Sequence, residues 1–500
     1  MNKPSIFKNT AVITAIACFE RALGFLYRIL LARLIGAEGM GIYQIALSHF
    51  FLFQTAAGGG IPVSLSRTVS RLNAENQSRR TGGALLAALI LAGGISLFLT
   101  LIFSPLADKI PLFSADAPVL KILLSALTAT AVYMVIKGFF WGNKAFLAPA
   151  LFEIAEEIFT VLFGVLLLTS AQNLSPIEGA RRAAWAHTIA AILICVIACI
   201  TLLSKRIKYS SPTPFIQPLI KAAAPITAVR SGATLVSAAV AALLPAMLIR
   251  SGMSKSAALQ AFGVVTGMVL PLVCIPLTLI GSLSIVLVPE LAEDHQKRNA
   301  KQLREKVEKG IFFTIIVPCI LLPLFMAVGK PMASLIYQSE LAGEMLPRIA
   351  FLLLPMSVNA ILVSILNSLG YEKQTFSFSL VGSAAFLTCI LFLPAYAGIY
   401  AYPIGLFLSL TIEVICAWIL LKKYCPLSRK FYRKALLCVG LTTPIGLLGQ
   451  ILWKGISIFL GEWQSTIFTA VLIALCTVVL YALLKLFPTV KIRKKNFHTP

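Results

Sequence analysis

The sequence has few charged residues, and what it lacks excludes several classes of protein. Charged residues make up 12% of the 500-residue chain, about half the share of a typical soluble domain. It has no Gly-x-x-x-x-Gly-Lys-Ser/Thr loop, no His-Glu-x-x-His and no Gly-x-Ser-x-Gly. None of its ten cysteines forms a Cys-x-x-Cys pair. We therefore expect no enzyme, no self-contained ATP-driven pump, no metal site and no cofactor.

Apolar residues dominate what is present. They make up 58% of the chain, and the mean hydropathy is +0.90. A helix that spans a bilayer needs roughly 20 mostly apolar residues, and runs such as 85–103 lack the alternation of a barrel strand. The sequence therefore predicts an all-α membrane protein with about fourteen transmembrane helices. The predicted spans are 10–35, 41–66, 82–104, 119–140, 148–170, 183–203, 217–249, 257–289, 310–328, 346–369, 375–395, 399–421, 434–457 and 465–487.

The net charge of +24 is explained by the loops between these spans. Most of the 43 lysines and arginines fall in the alternate loops that share a side with the N-terminus. Basic loops are typically cytoplasmic, so we predict a multi-pass cell-membrane protein with both termini in the cytoplasm and no nucleic-acid partner. Residues 1–10 carry no small-residue cleavage site, which indicates an uncleaved start.

A weak internal repeat indicates two lobes. Residues 61–80 and 283–304 each place an apolar helix end with a proline before a basic segment, and 138–144 resembles 365–373. An even number of crossings per copy predicts a parallel pseudo-twofold repeat. We predict a lobe of six helices over 1–210, a second over 211–424, and two extra helices with a basic cytoplasmic tail over 425–500.

The first predicted span carries charges inside an apolar helix. Glu20, Arg21 and Arg28 lie within it, and Arg21 and Arg28 are seven residues apart, so they share a helix face. A charge at membrane depth is costly unless it faces a partner or a cavity. Two guanidinium groups on one face would suit a phosphate or diphosphate. Alternatively, Arg21 pairs with Glu20 or the fifth helix and Arg28 extends to the interface.

Two further groups of charges lie in predicted spans. Arg230 is central in the seventh span, the repeat counterpart of the first, and either lines a site between the lobes or forms an ion pair that locks them. Glu153, Glu156 and Glu157 share one face of the fifth span. These glutamates, with Glu20, either couple transport to an ion or neutralise the arginines.

A glycine-rich break and two isolated polar residues complete the candidates. Gly58, Gly59, Gly60 and Pro62 should bend or break the second span, as a hinge, a substrate-facing break or a plain packing kink. His49 and Glu413 are isolated within spans, and His49 is more typical of a satisfied helix–helix contact than of a proton relay.

The segment Glu20-Arg-Ala-Leu-Gly-Phe-Leu-Tyr-Arg-Ile-Leu-Leu-Ala-Arg-Leu-Ile-Gly-Ala-Glu-Gly-Met-Gly-Ile-Tyr43 closely resembles the first-helix signature of the stage V sporulation protein B family. These are polysaccharide-biosynthesis flippases of the multidrug/oligosaccharidyl-lipid/polysaccharide exporter superfamily. Residues 60–64 continue the resemblance, as does 137–142, which is similar to the family's Arg-Gly-Tyr-Phe-Gln-Gly with Lys137 and Trp141 substituted.

The resemblance implies a flippase that moves an undecaprenyl-diphosphate-linked saccharide by alternating access, in peptidoglycan or polysaccharide synthesis and in spore cortex formation. It implies that Arg21, Arg28 and Arg230, with Arg67 as a further candidate, meet the diphosphate. The expected partners are the membrane, a lipid-linked saccharide, H+ or Na+ as coupling ion, and cell-wall synthases. The alternatives are a cation-coupled antiporter for drugs or organic cations, and a non-transporting scaffold for cell-wall synthases.

Overall fold

The computed structural model describes residues 4–110, 113, 116–170, 174–205, 207, 210–297, 299–484 and 486, and over these residues it is helical with no β-strand. The predicted basic tail beyond residue 486 lies outside the described residues. The first half of the chain forms α1 (Pro4–Gly58), α2 (Ile61–Ala74), α3 (Thr81–Leu106), α4 (Ala117–Ser125), α5 (Leu127–Gly142), α6 (Leu147–Thr169), α7 (Pro176–Leu203), α8 (Thr213–Arg250) and α9 (Lys255–Phe262). The second half forms α10 (Leu270–Cys274), α11 (Leu277–Gln296), α12 (Ala300–Tyr337), α13 (Glu340–Ile349), α14 (Leu353–Ser368), α15 (Glu372–Phe392), α16 (Pro394–Ala397), α17 (Ala401–Tyr424), α18 (Arg429–Ile456) and α19 (Glu462–Leu483).

Many of these helices are long and apolar enough to cross a membrane. Ten helical segments in the described part of the chain meet that requirement, and the bent pair α4 and α5, which meet at 44°, makes eleven. Helix α6 has the necessary length but carries three glutamates. The prediction of an all-helical, multi-span membrane protein is therefore confirmed, whereas the count of fourteen stays a prediction.

Packing divides the chain into two compact units. Unit 1 comprises Met1–Met268 and Ile390–Ile399, and unit 2 comprises Val269–Cys389 and Tyr400–Pro500. In unit 1 a buried apolar core, including Leu65, Leu85 and Phe140, joins α2, α3 and α5 with α7 and α8. The predicted lobe boundary at residue 210 describes a sequence repeat, whereas this division follows packing, which groups α8 and α9 with the earlier helices.

Two breaks shape unit 1. The first predicted span and the second as far as Gly58 form one element, α1, which kinks at Gly36, where a φ of 70° falls in the left-handed region that favours glycine. Beyond the kink α1 crosses α9 very closely, because a methyl group at Gly41 would lie 2.1 Å from the carbonyl oxygen of Leu259. The second break separates α1 from α2 at Gly59 and Gly60, where the glycine-rich segment predicted one.

The predicted eighth span, 257–289, is interrupted. A π-helix occupies Gly263–Val269, and a further break falls between α10 and α11 at Ile275 and Pro276. The boundary between the two compact units lies within the π-helix.

Unit 2 includes the two helices predicted as an appendage. Helices α18 and α19 pack against α12 through a buried polar contact, in which the Tyr481 hydroxyl lies 3.0 Å from the Cys438 carbonyl oxygen and 3.3 Å from that of Cys319. A buried apolar core, including Ile311, Leu362 and Tyr481, joins these helices to the rest of the unit.

Candidate functional site

Helices α1, α5 and α6 of unit 1 gather charged side chains that the sequence scatters over more than 130 residues. We call Glu20, Arg21, Arg28, Lys137, Glu153, Glu156 and Glu157 the charged cluster. Glu153, Glu156 and Glu157 share one face of α6, as predicted from their spacing. That face meets α1 at Gly24, which has no side chain. A methyl group at Gly24 would lie 2.8 Å from Oε1 of Glu157. The small residue thus lets a carboxylate lie against α1.

An ion pair between Lys137 and Glu153 links α5 to α6. The two side chains are only 20% and 32% exposed, and the Lys137 ammonium also lies 5.1 Å from the ring centroid of Trp141. Sequence analysis named Lys137 only within the motif 137–142, did not single it out as a charge inside a span, and missed this role. The signal was available, because Lys137 and Trp141 stand four residues apart, on one face of a helix that is otherwise mostly apolar.

The two arginines that α1 contributes to the charged cluster occupy different surroundings. Arg28 is half-buried, and its charge acts on Glu157 of α6 and Tyr43 of α1. Arg21 is exposed, and among the described residues no carboxylate lies within ion-pair distance of it, although its charge acts on neighbouring Glu20. The structure therefore places Arg28 near Glu157 of α6, with no ion pair to it among the described residues, and leaves the Arg21 side chain exposed.

Two tyrosines that sequence analysis did not single out border the charged cluster. Tyr27 and Tyr133 are 7% and 5% exposed, and neither hydroxyl has a hydrogen-bond partner in the described structure. Tyr27 packs on α6 where that helix also lacks a side chain, since a methyl group at Gly164 would lie 2.4 Å from its hydroxyl. Unpartnered buried hydroxyls are uncommon and favour a polar ligand or water near them.

Arg230 is bound to the break between α1 and α2. Its Nη1 donates a hydrogen bond of 2.8 Å to the Gly59 carbonyl oxygen, and the Gly60 N–H donates one of 3.0 Å to Thr227 Oγ1. Helix α8 thus satisfies backbone groups that the break frees, as irregular backbone at membrane depth requires. The rest of the Arg230 side chain is exposed.

The remaining predicted residues lie apart from these contacts. Arg67 is exposed on α2, and no ion pair to it occurs in the described part of the chain. Pro62 lies in the first turn of α2 and packs against α5, because a methyl group at Gly138 would lie 2.5 Å from its carbonyl oxygen. His49 contacts the residue before α4, although its Nε2 has no partner in the described structure. Its Nδ1 lies 3.0 Å from Asp116 Oδ2, and both side chains are fully buried.

Chemically, the charged cluster presents three cations and four carboxylates. Such a set can neutralise itself in part and still offer a guanidinium to an anionic group. Among the described residues, no three His, Cys, Asp or Glu side chains are placed to hold a metal ion.

Comparison with solved structures identifies the fold. The chain superposes on the lipid II flippase MurJ in its inward closed conformation with a TM-score of 0.73 and 16% identity, covering 95% of this chain and 100% of that one. It superposes on an inward-facing multidrug resistance MATE family transporter of the MOP superfamily with a TM-score of 0.65 and 12% identity. The match covers 80% of this chain and 92% of that one. The fold is that of these membrane transporters.

Comparison with sequences identifies the family. Residues 6–295 match the model of the polysaccharide biosynthesis protein family, so the chain belongs to that family. Stage V sporulation protein B of Bacillus subtilis (strain 168) is 25% identical over 406 residues, which cover 77% of this chain and 76% of that protein. Lipid II flippase MurJ of the same organism is 22% identical over 521 residues, which cover 95% of this chain and 93% of that protein. The family resemblance is confirmed, and these names describe a sporulation protein and a flippase, not enzymes.

Proposed function

We propose that this protein is a flippase that moves an undecaprenyl-diphosphate-linked saccharide across the cell membrane by alternating access. The observation that carries the proposal is the exposed Arg21 side chain, which belongs to the charged cluster inside apolar helices. A diphosphate is the anionic group that such a cargo would bring to membrane depth. The likeness to a lipid II flippase over 95% of the chain supports the same function.

The proposal assigns roles to four arginines. Arg21 and Arg28 hold the diphosphate from α1, and Arg230 and Arg67 assist from α8 and α2. A guanidinium carries five N–H donors, so the bond from Arg230 to Gly59 leaves donors for a ligand. Glu20, Glu153, Glu156 and Glu157 balance these charges or carry the coupling ion, for which H+ and Na+ are the candidates.

The wider architecture belongs to the same proposal. Fourteen spans form two six-helix lobes and two C-terminal helices, both termini are cytoplasmic, and the break at Gly58, Gly59, Gly60 and Pro62 acts as a hinge. Likeness to stage V sporulation protein B supports a role in spore cortex synthesis, and cell-wall synthases are the proposed protein partners.

Translocation of lipid II by purified protein in proteoliposomes tests the proposal. We expect wild-type protein to move the lipid and Arg21→Ala to slow it at least about tenfold, the loss expected for a charge-assisted contact. Arg71→Ala is the charge-matched control, because Arg71 is an exposed arginine 4.0 Å from Glu75 on α2. Normal translocation by Arg21→Ala would refute the anion site, and no translocation by wild type would refute the flippase.

A cation-coupled antiporter for drugs or organic cations is the second candidate. It is favoured by the excess of carboxylates over cations in the charged cluster and by the likeness to MATE transporters. Efflux of a fluorescent organic cation from cells distinguishes the two. Efflux that Glu156→Gln abolishes would favour the antiporter, and this change leaves the Lys137–Glu153 ion pair in place.

A further inference from the structure

A separate cavity of about 530 Å³ lies in unit 1, where three connections between helices meet. We call it the rim pocket. It is formed by the turn before α3, the end of α5 with the residues that follow it, and the segment after α7. The lining residues that matter here are Arg79, Thr81, Phe139, Phe140, Asn143 and Lys205. None of them belongs to the charged cluster.

The rim pocket is basic. Arg79 and Lys205 line it, and none of its described lining residues is Asp or Glu. Within the described residues neither cation forms an ion pair, and the Lys205 ammonium lies 4.9 Å from the ring centroid of Phe140. Neighbouring Arg80 is committed elsewhere, to Gln77 at 3.0 Å and over the ring of Phe215 at 5.4 Å. Two cations that lack a counter-charge favour an anionic ligand.

Neutral groups of the rim pocket suit the same ligand. Asn143 and Thr81 line it beside the cations. The Thr81 hydroxyl already donates to the Ser78 carbonyl oxygen at 2.7 Å, and Asn143 Nδ2 donates one hydrogen to the Phe139 carbonyl oxygen at 2.9 Å, so one Asn143 N–H remains. Helix α3 follows directly on the 3-10 turn Ser78–Arg80, in which the Thr81 N–H bonds to the Ser78 carbonyl oxygen, so its dipole adds a positive potential at the wall of the pocket. A phosphate group combines the negative charge and the acceptor oxygens that these donors need.

Apolar side chains beside the rim pocket indicate that the phosphate is carried on a lipid. Phe146 and Leu147 begin α6, next to the lining residues of the α5–α6 connection, and each is 49% exposed. Leu203, two residues before Lys205, is 67% exposed. Exposed apolar residues at the ends of membrane helices face acyl chains, and basic pockets between such helices bind anionic headgroups. A soluble anion would gain nothing from them.

We propose that the rim pocket binds the phosphate headgroup of an anionic phospholipid. Arg79 and Lys205 hold the phosphate, the second Nδ2–H of Asn143 provides a hydrogen bond, and Phe146, Leu147 and Leu203 contact the first part of the acyl chains. The bound lipid ties together the connections that precede α3, α6 and α8. This site is independent of the proposed diphosphate arginines.

Native mass spectrometry of the purified protein, titrated with phosphatidylglycerol or phosphatidylcholine, tests the site. We expect wild type to prefer phosphatidylglycerol, and Arg79→Ala/Lys205→Ala to bind it at least about tenfold more weakly, since each basic residue near a membrane surface contributes about 1 kcal/mol. The control is Arg429→Ala/Lys430→Ala, which removes the same two residue types from exposed positions outside the pocket. This control should bind like wild type.

Two further measurements keep the test decisive. The swapped variant Arg79→Lys/Lys205→Arg should retain binding, which separates loss of charge from a failure to fold. Inorganic phosphate should not displace phosphatidylglycerol at equal concentration, and displacement would indicate a site for a free anion and overturn the lipid proposal. Equal weakening in the pocket variant and the control would likewise overturn it, because the loss would then reflect net charge alone.

Discussion

Glu153 of unit 1 and Glu413 of unit 2 are both carboxylates within mostly apolar helices, and their partners differ. Glu153 forms an ion pair with Lys137 and lies among other charges. Glu413 has neutral partners, with Asn359 Nδ2 donating a 2.9 Å hydrogen bond and Ser409 Oγ a 3.4 Å one. No cation pairs with Glu413 among the described residues. A methyl group at Gly382 would lie 2.6 Å from its Oε1, so a glycine makes room for the carboxyl, as Gly24 does for Glu157.

This difference separates two ways of keeping a carboxyl group inside apolar helices. An ion pair stabilises both charges but leaves one uncompensated if its partner is removed. Neutral donors impose no such dependence, because an amide can replace the carboxyl and keep the hydrogen bonds. The charged cluster should therefore be sensitive to single changes of charge, and the Glu413 site insensitive to them.

The largest effect is expected for Lys137→Met. It leaves Glu153 without its cation, and we expect a loss of about 2–3 kcal/mol, less than for a fully buried pair because the side chains are 20% and 32% exposed. Thermal unfolding in detergent measures it. Lys137→Met/Glu153→Gln should recover at least half of the loss, and a double variant as unstable as the sum of the single variants would contradict the pairing.

An intermediate effect is expected for Glu413→Leu. The change leaves the Asn359 amide without its partner and should reduce stability by about 1–2 kcal/mol. Glu413→Gln should stay within about 0.5 kcal/mol of wild type, as the isosteric amide can keep both contacts. If the glutamine variant lost as much as the leucine variant in the same unfolding assay, the site would depend on a charge after all.

The smallest effect is expected for Ser409→Ala. Its hydrogen bond to Glu413 is long, at 3.4 Å, so we expect a loss of about 0.5 kcal/mol. Asn359→Leu, which removes the shorter bond, should cost more, and the two variants can be compared by thermal unfolding at one pH. The reverse order would show that the serine is the main partner of Glu413.

Much of the fold followed from apolar runs alone. Helices α3, α7 and α19 lie close to the predicted spans 82–104, 183–203 and 465–487, since a continuous apolar run bounded by polar residues has one solution in a bilayer. The irregular elements were predicted less well. The interruption of the eighth span by a π-helix depends on contacts, including a crossing where a methyl group at Gly263 would lie 2.1 Å from the Ala37 carbonyl oxygen.

The candidate site was predicted in part. Charges inside apolar helices stand out in a sequence, which is why Glu20, Arg21, Arg28 and the α6 glutamates are recognisable from hydropathy alone. Lys137 was missed because it stands near the end of the predicted span 119–140, where a basic residue is readily counted with the loop that follows. The expected place of Arg230 between the predicted lobes stays a prediction. Its described hydrogen bond to Gly59 joins residues of the two predicted lobes, although packing groups both residues in unit 1.

The sequence by itself determined that this protein is a bundle of membrane helices of the polysaccharide biosynthesis family, because hydropathy and a charged first-helix signature are local properties of the chain. Only the tertiary structure decided which charges meet. Lys137 and Glu153 are 16 residues apart, and Arg230 bonds to Gly59 across 171. Such partners depend on how helices pack, and glycines at 24, 60 and 164 allow the close approaches that bring them together.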